Sequence, residues 1–174
     1  MNTLKGRTVF ITGGSRGIGR AIALACARQR ANVVIAAKSD TPHPKLPGTI
    51  HTVADEVRAA GGQALPLVLD VRDDQLVKQR MDEAADHFGG IDALVNVAAY
   101  DSLFGTLQTT SEKDWNECLS TNVVGSLMIA RAAVPHLKRR GGGAIVLVGS
   151  QAMWLSPPMP QIAYAASKGA LLSS

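Results

Sequence analysis

Thr12-Gly13-Gly14-Ser15-Arg16-Gly17-Ile18-Gly19 follows a short β-branched run and opens an alanine-rich segment. In that setting Gly13 permits a tight turn, Gly17 lets backbone approach a phosphate, and Gly19 allows a helix to pack closely on a strand. A pyrophosphate would sit on the helix N-terminus, where free N–H groups and the helix dipole favour anions. No Gly-Lys-Ser/Thr follows, which excludes a P-loop. Gly13, Ser15, Arg16, Gly17, Ile18 and Gly19 are therefore the expected dinucleotide-binding loop. A second chemical signature lies near the other end of the chain. Tyr164 and Lys168 stand four residues apart, one above the other on a helix face. Ser150 lies upstream, at the end of another β-branched run. A phenol of pKa ~10 is a poor acid–base group near neutrality. A neighbouring ammonium and a cationic nicotinamide favour phenolate and bring it closer to working range. Ser150 would hydrogen-bond the substrate oxygen and hold its carbon for hydride transfer.

The second β-branched run ends at Ala36-Ala37-Lys38. Here a carboxylate would select NAD(H) through the ribose, and a cation would select NADP(H) through the 2′-phosphate. Lys38 and Arg16 together suit a phosphomonoester, so NADP(H) is expected in preference to NAD(H). Asp40 is the competing carboxylate, and a solvated Lys38 without a role remains the plain alternative. Asp70 and Val71 end the third run and Asn96 the fourth. Asp70 could accept from the adenine amino group, or could simply cap the next helix. Asn96 could fix the loop over the cofactor through its amide.

These residues need elements to carry them. Strands are predicted at Thr8–Thr12, Asn32–Ala37, 64–70, Ala93–Asn96 and 144–149, each apolar enough to be buried on both faces. Helices are predicted at 17–29, 51–60, 73–88 and 112–138, the last with Ser111 as N-cap and Asp114 at the capping-box position. The segment 39–49, with Pro42, Pro44 and Pro47, must be a loop, as must 156–160; a further helix starts after Gln161. Alternation of strand and helix indicates an α/β fold: a Rossmann-like, doubly wound parallel sheet with helices on both faces. Residues 1–174 form one domain in this reading. Five of six expected strands are present, so at least one further βα unit, roughly 30 residues, is expected beyond the chain.

Composition narrows the classes. The 174 residues are 46% hydrophobic and 18% charged, with a net charge of +4, which fits an ordinary globular core. The densest basic cluster is Lys138-Arg139-Arg140 at a predicted helix end, so nucleic acid is not an expected partner. Uninterrupted apolar runs fall short of the ~18 residues of a bilayer span, and no membrane association is expected. Cys26 and Cys118 read as reduced, half-buried thiols of a cytoplasmic protein. His43, His51, His87 and His136 are scattered, and no metal site is expected.

Taken in order, TGGSRGIG, Asp70-Val71, Asn96-Val97-Ala98-Ala99, Asn122, Ser150, Tyr164 and Lys168 resemble the short-chain dehydrogenase/reductase family over essentially the whole chain. The resemblance implies a catalytic tetrad of Asn122, Ser150, Tyr164 and Lys168. Tyr164 would be proton donor or acceptor, and Lys168 would lower its pKa while binding the nicotinamide ribose. Asn122 would hold a water in a proton relay, and Ser150 would orient the carbonyl. The Ala-Ala-Lys and Pro42-His43-Pro44-Lys45-Leu46 segments look like the hydroxysteroid dehydrogenase-like subgroup, a label that does not establish a steroid substrate. The family's usual Asn-Asn-Ala-Gly reads Asn96-Val97-Ala98-Ala99 here, and the spacing from Ser150 to Tyr164 is one residue longer than common, which keeps Ser156 as a second candidate. The expected activity is NADP(H)-dependent interconversion of a small carbonyl and alcohol. Met153, Trp154, Leu155 and Met159 hint at an apolar substrate, and core packing explains them about as well. A homodimer or homotetramer packed through the long helix and the Tyr-Lys helix is implied. The alternatives are a nucleotide-binding fragment without turnover, or an unstable one.

Overall fold

Alternation of small or β-branched apolar residues with amphipathic segments produces five parallel strands and the helices that cover them. The computed structural model describes residues 4–44, 46–101, 105–155 and 160–173. Lys45, Ser156 and Met159, raised above, lie outside the described residues. The strands are β1 (Thr8–Thr12), β2 (Asn32–Ala37), β3 (Gln63–Val68), β4 (Ala93–Asn96) and β5 (Ala144–Leu147). They lie in the order 3-2-1-4-5, the order expected for a doubly wound sheet. The helices are α1 (Gly17–Arg28), α2 (Ile50–Ala59), α3 (Asp74–Phe88), α4 (Glu112–Leu119), α5 (Ser126–Arg139) and α6 (Ile162–Leu172).

Period-two alternation along the central strands divides the core. Val9, Ile11, Val33 and Ile35 pack with Ala23, Ala27, Val53 and Val57 of α1 and α2. Phe10, Val34 and Leu94 face the other way, onto Val77 and Met81 of α3 and Ile129, Ala133 and Leu137 of α5. Parallel register sets Thr12 beside Ala36 on one side and Asn96 on the other, so three strands deliver their carboxyl ends to one edge. The glycines after helices act where chirality demands them: Gly61 has φ +93° and Gly89, the αL cap of α3, has φ +77°.

Four expectations are corrected. β1 and β2 are buried throughout, but β3 and β5 are not. These are the outer strands, and β3 accommodates Pro66 because an edge need not use that N–H. Both strands also end early, leaving Asp70 and Ser150 past their ends. The long helix is not continuous, because Ser120–Gly125 is a π-helical turn between α4 and α5. Cys118 is fully buried, whereas Cys26 is the half-buried one. Within Glu112–Arg139 one 18-residue window reaches a mean hydropathy of 1.2, enough for a bilayer span by length and composition alone, yet Ile129, Ala133 and Leu137 pack into the core.

Polar side chains bind the layers. Thr12 Oγ1 donates to Asn96 Oδ1 at 2.5 Å, and Asn96 Nδ2 donates to Ser126 Oγ at 2.7 Å, joining β1, β4 and α5 in the dry interior. Asn96→Ala would leave both hydroxyls without that partner and should cost about 2–4 kcal/mol in denaturant unfolding. Unchanged stability would show that the clasp contributes nothing.

Candidate functional site

The glycine loop occupies the edge where the strands end. Gly13 has φ +65°, and a Cβ there would press on the Ala98 backbone. At Gly19 a Cβ would run into the Gly13 carbonyl, so this glycine serves helix–strand packing and lies beneath the surface. Gly17, at φ +52°, has open space where its Cβ would be. It begins α1, whose N-cap residue Arg16 makes no side-chain capping bond and whose first turn holds no acidic residue. The helix therefore presents uncompensated N–H groups to a cleft of about 530 Å³.

That cleft gathers most of the expected nucleotide contacts. Gly13, Ser15, Arg16, Gly17 and Ile18 wall one side, and Lys38, Asp70, Val71 and the 97–100 segment wall the other. Asn96 lies under it, 3% exposed, and does not itself grip the loop. The loop is held through Thr12, whose Oγ1 accepts from the Val97 and Ala98 N–H groups, both at 3.1 Å. Asn96 takes the Thr12 hydroxyl hydrogen and so orients that acceptor.

At the far wall Lys38 Nζ stands 3.7 Å from Asp70 Oδ2. Asp70 is gripped by Arg72, whose Nη2 donates at 2.7 Å and whose Nε and backbone N–H donate to Oδ1 at 3.0 Å. This side-chain hydrogen bonding holds the carboxyl down at about 2. Arg72 Nη1 also reaches Glu117 of α4 at 2.6 Å, tying the end of β3 to that helix. The cap of α3 is Asp73, which accepts from the Leu76 N–H at 2.9 Å, so Asp70 does not have that task. Asp40 is turned to His51 Nε2 at 2.7 Å and does not line the cleft.

The second group of residues assembles where β5 meets α6. Lys168 is buried, and its Nζ donates to the Val148 carbonyl at 2.6 Å, pinning α6 to the chain just before Ser150. The same Nζ is 5.8 Å from the centre of the Tyr164 ring. Burial pushes the Lys168 ammonium below its ordinary range. Ser150 starts a single 3₁₀ turn, its Oγ accepting from the Ala152 N–H at 3.2 Å. Ser150, Tyr164 and Lys168 do not line the nucleotide cleft itself.

Asn122 sits in the π turn and is fully buried. Its Oδ1 accepts from the Tyr100 N–H at 2.7 Å, and its Nδ2 donates to the Tyr100 carbonyl at 2.9 Å and to Ser167 Oγ at 2.8 Å. Both amide hydrogens are engaged within the protein, so any water it held would have to donate to its oxygen. Ser167 donates to the Tyr164 carbonyl at 2.7 Å, and Ser126 to the Asn122 carbonyl at 2.7 Å. Thr12, Arg72, Ser126 and Ser167 were not singled out by sequence reasoning. Ser167 carried a faint signal, lying between Tyr164 and Lys168, and Arg72 another, two residues from Asp70; the Thr12–Asn96 pairing needed the strand register and Ser126 the packing of α5.

Comparison with known proteins gives this geometry a context. The family described as short chain dehydrogenase matches residues 7–173. Hydroxysteroid dehydrogenase-like protein 2 of Danio rerio is 49% identical over 156 residues, which are 90% of this chain and 36% of that protein. The chain thus spans about a third of the length of the curated relatives it matches. A short chain dehydrogenase structure from Mycobacterium thermoresistibile superposes with a TM-score of 0.86 at 39% identity, covering 97% of this chain and 60% of the other. An NAD+-bound xylitol dehydrogenase superposes with a TM-score of 0.89 at 27% identity, covering 99% and 63%.

The Asp70–Arg72 pair predicts an acid signature. The folded carboxyl is depressed, so the pairing adds stability above about pH 4, and that contribution fades as pH falls towards 2. In Arg72→Met the Asp70 carboxyl should rise towards about 3.9, as read by carboxyl-carbon NMR titration. A carboxyl that stays near its present value would remove Arg72 as the cause.

Proposed function

The chain belongs to the short-chain dehydrogenase family, and from that premise we propose an NADP(H)-dependent oxidoreductase that interconverts a carbonyl and an alcohol. The observation that carries this reading is the uncapped N-terminus of α1, opening behind Gly13–Gly17 onto a cleft that contains Lys38 and excludes Asp40. The residues fit a dinucleotide: Gly17 leaves room for close backbone approach, and Arg16 Nε is buried without a partner among the described residues. Ser15, Arg16, Gly17 and Ile18 would hold the phosphates, Lys38 and Arg16 the 2′-phosphate, and Asp70, Val71 and the 97–99 backbone the adenosine side. The xylitol dehydrogenase neighbour carries NAD+ and bears on the cofactor class; preference for the phosphorylated form rests on the charges of this chain.

When bound, the nicotinamide supplies or accepts the hydride. Tyr164 gives a proton to the carbonyl oxygen in reduction or takes it from the alcohol in oxidation. Lys168, anchored on Val148, sets a cation beside the Tyr164 ring. Ser150 donates to the substrate oxygen and orients it, and Asn122 acts from beneath by fixing α6 through Ser167. The exposed Trp154 and Leu155, with Met153, support an apolar substrate. Exposed Leu119, Val124 and Leu127 on the long helix support packing against a second copy.

A second reading is a nucleotide-binding module without turnover. It is favoured by the nucleotide cleft standing apart from Ser150, Tyr164 and Lys168, none of which lines it.

Nucleotide fluorescence titration should show tighter binding of NADPH than of NADH, with the preference lost in Lys38→Asp; equal binding in the unmodified chain would overturn the 2′-phosphate assignment. Tyr164→Phe should leave nucleotide affinity intact and slow carbonyl reduction by ~10²–10⁴-fold. Persistent turnover in that variant would refute the acid–base role. Nucleotide binding without turnover of any carbonyl by the unmodified chain would favour the second reading.

A further inference from the structure

The nucleotide reading leaves one face of the molecule unassigned: the edge where the strands begin, opposite the cleft. Lys5 and Arg7 enter β1 there, Arg28 and Arg30 precede β2, and Lys138, Arg139 and Arg140 precede β5. All seven are exposed. Their turns are knit together. The Gly6 N–H donates to the Arg30 carbonyl at 3.2 Å, and Arg7 and Arg140 reach Asp92 at 2.7 and 3.2 Å. Arg140 also lies across Gly90, where a Cβ would strike its side chain. The carboxylates among these cations are Asp92, Asp86 beside Arg139 and Arg140, and Asp82, which meets His136. Seven cations against three carboxylates leave a surplus of four, which equals the net charge of the whole chain. The other eleven Lys and Arg are matched by eleven Asp and Glu. The basic excess of the protein is therefore gathered on this edge.

Helix dipoles account for part of it, since Arg28, Lys138 and Arg139 stand in the last turns of α1 and α5. They do not account for Arg30. At φ +62° it is the one non-glycine residue with left-handed backbone among the described residues. It closes α1: its N–H donates to the Ala27 carbonyl at 2.8 Å, and the Ala31 N–H donates to the Cys26 carbonyl at 3.2 Å. The same closure after α2 and α5 uses Gly61 at φ +93° and Gly141 at φ +82°. Glycine would serve the turn after α1 with less strain, so what arginine adds there is its charge. Lys5, Arg28, Arg30 and Lys138 have no carboxylate partner among the described residues.

We propose that this edge docks on an anionic lipid surface, with Arg30 kept in a strained turn for its charge. α1 and α5 cover opposite faces of the sheet, so the cations spread across the thickness of the molecule as well as along the strand order. A plane of headgroups meets such a spread throughout, whereas a nucleic-acid backbone follows a line. A surface contact needs no apolar span, which is why apolar runs in the sequence give no sign of membrane association. Only Lys138–Arg140 is contiguous in sequence; the fold brings the other cations to it. Docking by this edge leaves the nucleotide cleft, at the opposite edge, open to water, and the proposal is independent of the NADP(H) reading.

Co-sedimentation of the 174-residue chain with vesicles of phosphatidylcholine, alone or mixed with phosphatidylserine, tests this. The chain should bind the mixed vesicles only, and binding should fall as salt rises. Arg30→Gly should weaken that binding about fivefold, the effect of one cation near a charged surface. Its thermal unfolding should stay at or above the unmodified temperature, which separates loss of charge from loss of fold. Arg30→Lys should keep the binding. Lys5→Ser and Lys138→Ser should each cost a similar factor, whereas Lys113→Ser, in the first turn of α4, should cost nothing. Equal binding to both vesicles, binding to neither, or an Arg30→Gly variant that binds like the unmodified chain would overturn the proposal. Tighter capture of a random-sequence DNA duplex than of mixed vesicles at the same salt would overturn the lipid assignment in favour of nucleic acid.

Discussion

A line of buried hydrogen bonds ties the nucleotide edge to the Tyr164 helix, and the rest of the site depends on it. Thr12 donates to Asn96, Asn96 to Ser126, Ser126 to the Asn122 carbonyl, Asn122 to Ser167, and Ser167 to the Tyr164 carbonyl. Every step crosses from one element to another or joins a side chain to a helix backbone. In a dry interior each member is needed by its neighbours, because an unmatched polar group there costs more than a made bond returns. Hydrophobic packing brings β1, β4, α5 and α6 together without choosing their exact registration. The polar line makes that choice. It also gives the π turn a reason: inserting one residue into the rod between α4 and α5 lets Asn122 reach Tyr100 and Ser167 together.

Charge is arranged differently at the two ends of the site. Around the glycine loop the cations stand at or near the surface, with Arg16 braced by neutral oxygens and Lys38 only loosely paired. The two carboxylates that line the cleft, Asp70 and Glu117, are both bonded to Arg72, and Asp70 stands 3.7 Å from Lys38. Near Tyr164 the Lys168 cation is buried, and its ammonium meets a backbone carbonyl in place of a carboxylate. A carbonyl partner leaves the ammonium's charge in place, where a carboxylate would cancel it.

Much of this was legible in the residues. Gly13 and Gly19 announced the turn and the packing that the backbone adopts, because a Cβ at either would strike neighbouring backbone, and Gly17 stands at φ +52° with open space beside it. The parallel α/β sheet followed from alternating periods, and Ser111 with Asp114 does form the capping box. Other features could not be read. A π turn leaves the apolar pattern of a helix almost unchanged, so the break at Ser120–Gly125 was hidden, although the family resemblance singles out Asn122 within it. Exposure of β5 depends on what lies beside it, which composition does not encode. Arg72 stood beside Asp70 in sequence, yet its grip on Glu117 spans 45 residues. The two carboxylates that competed for roles, Asp40 and Asp70, are distinguished only by their partners His51 and Arg72.

The central claim is that a dinucleotide lies on the N-terminus of α1 against the ends of β2, β3 and β4. Amide hydrogen exchange of the chain, with and without saturating NADPH, tests it most directly. The account predicts new protection at Gly13–Gly19, at Lys38 and Ser39, and at Val97–Ala99, with α2 and α3 unchanged. Protection centred elsewhere, or none at the glycine loop despite saturation, would contradict it.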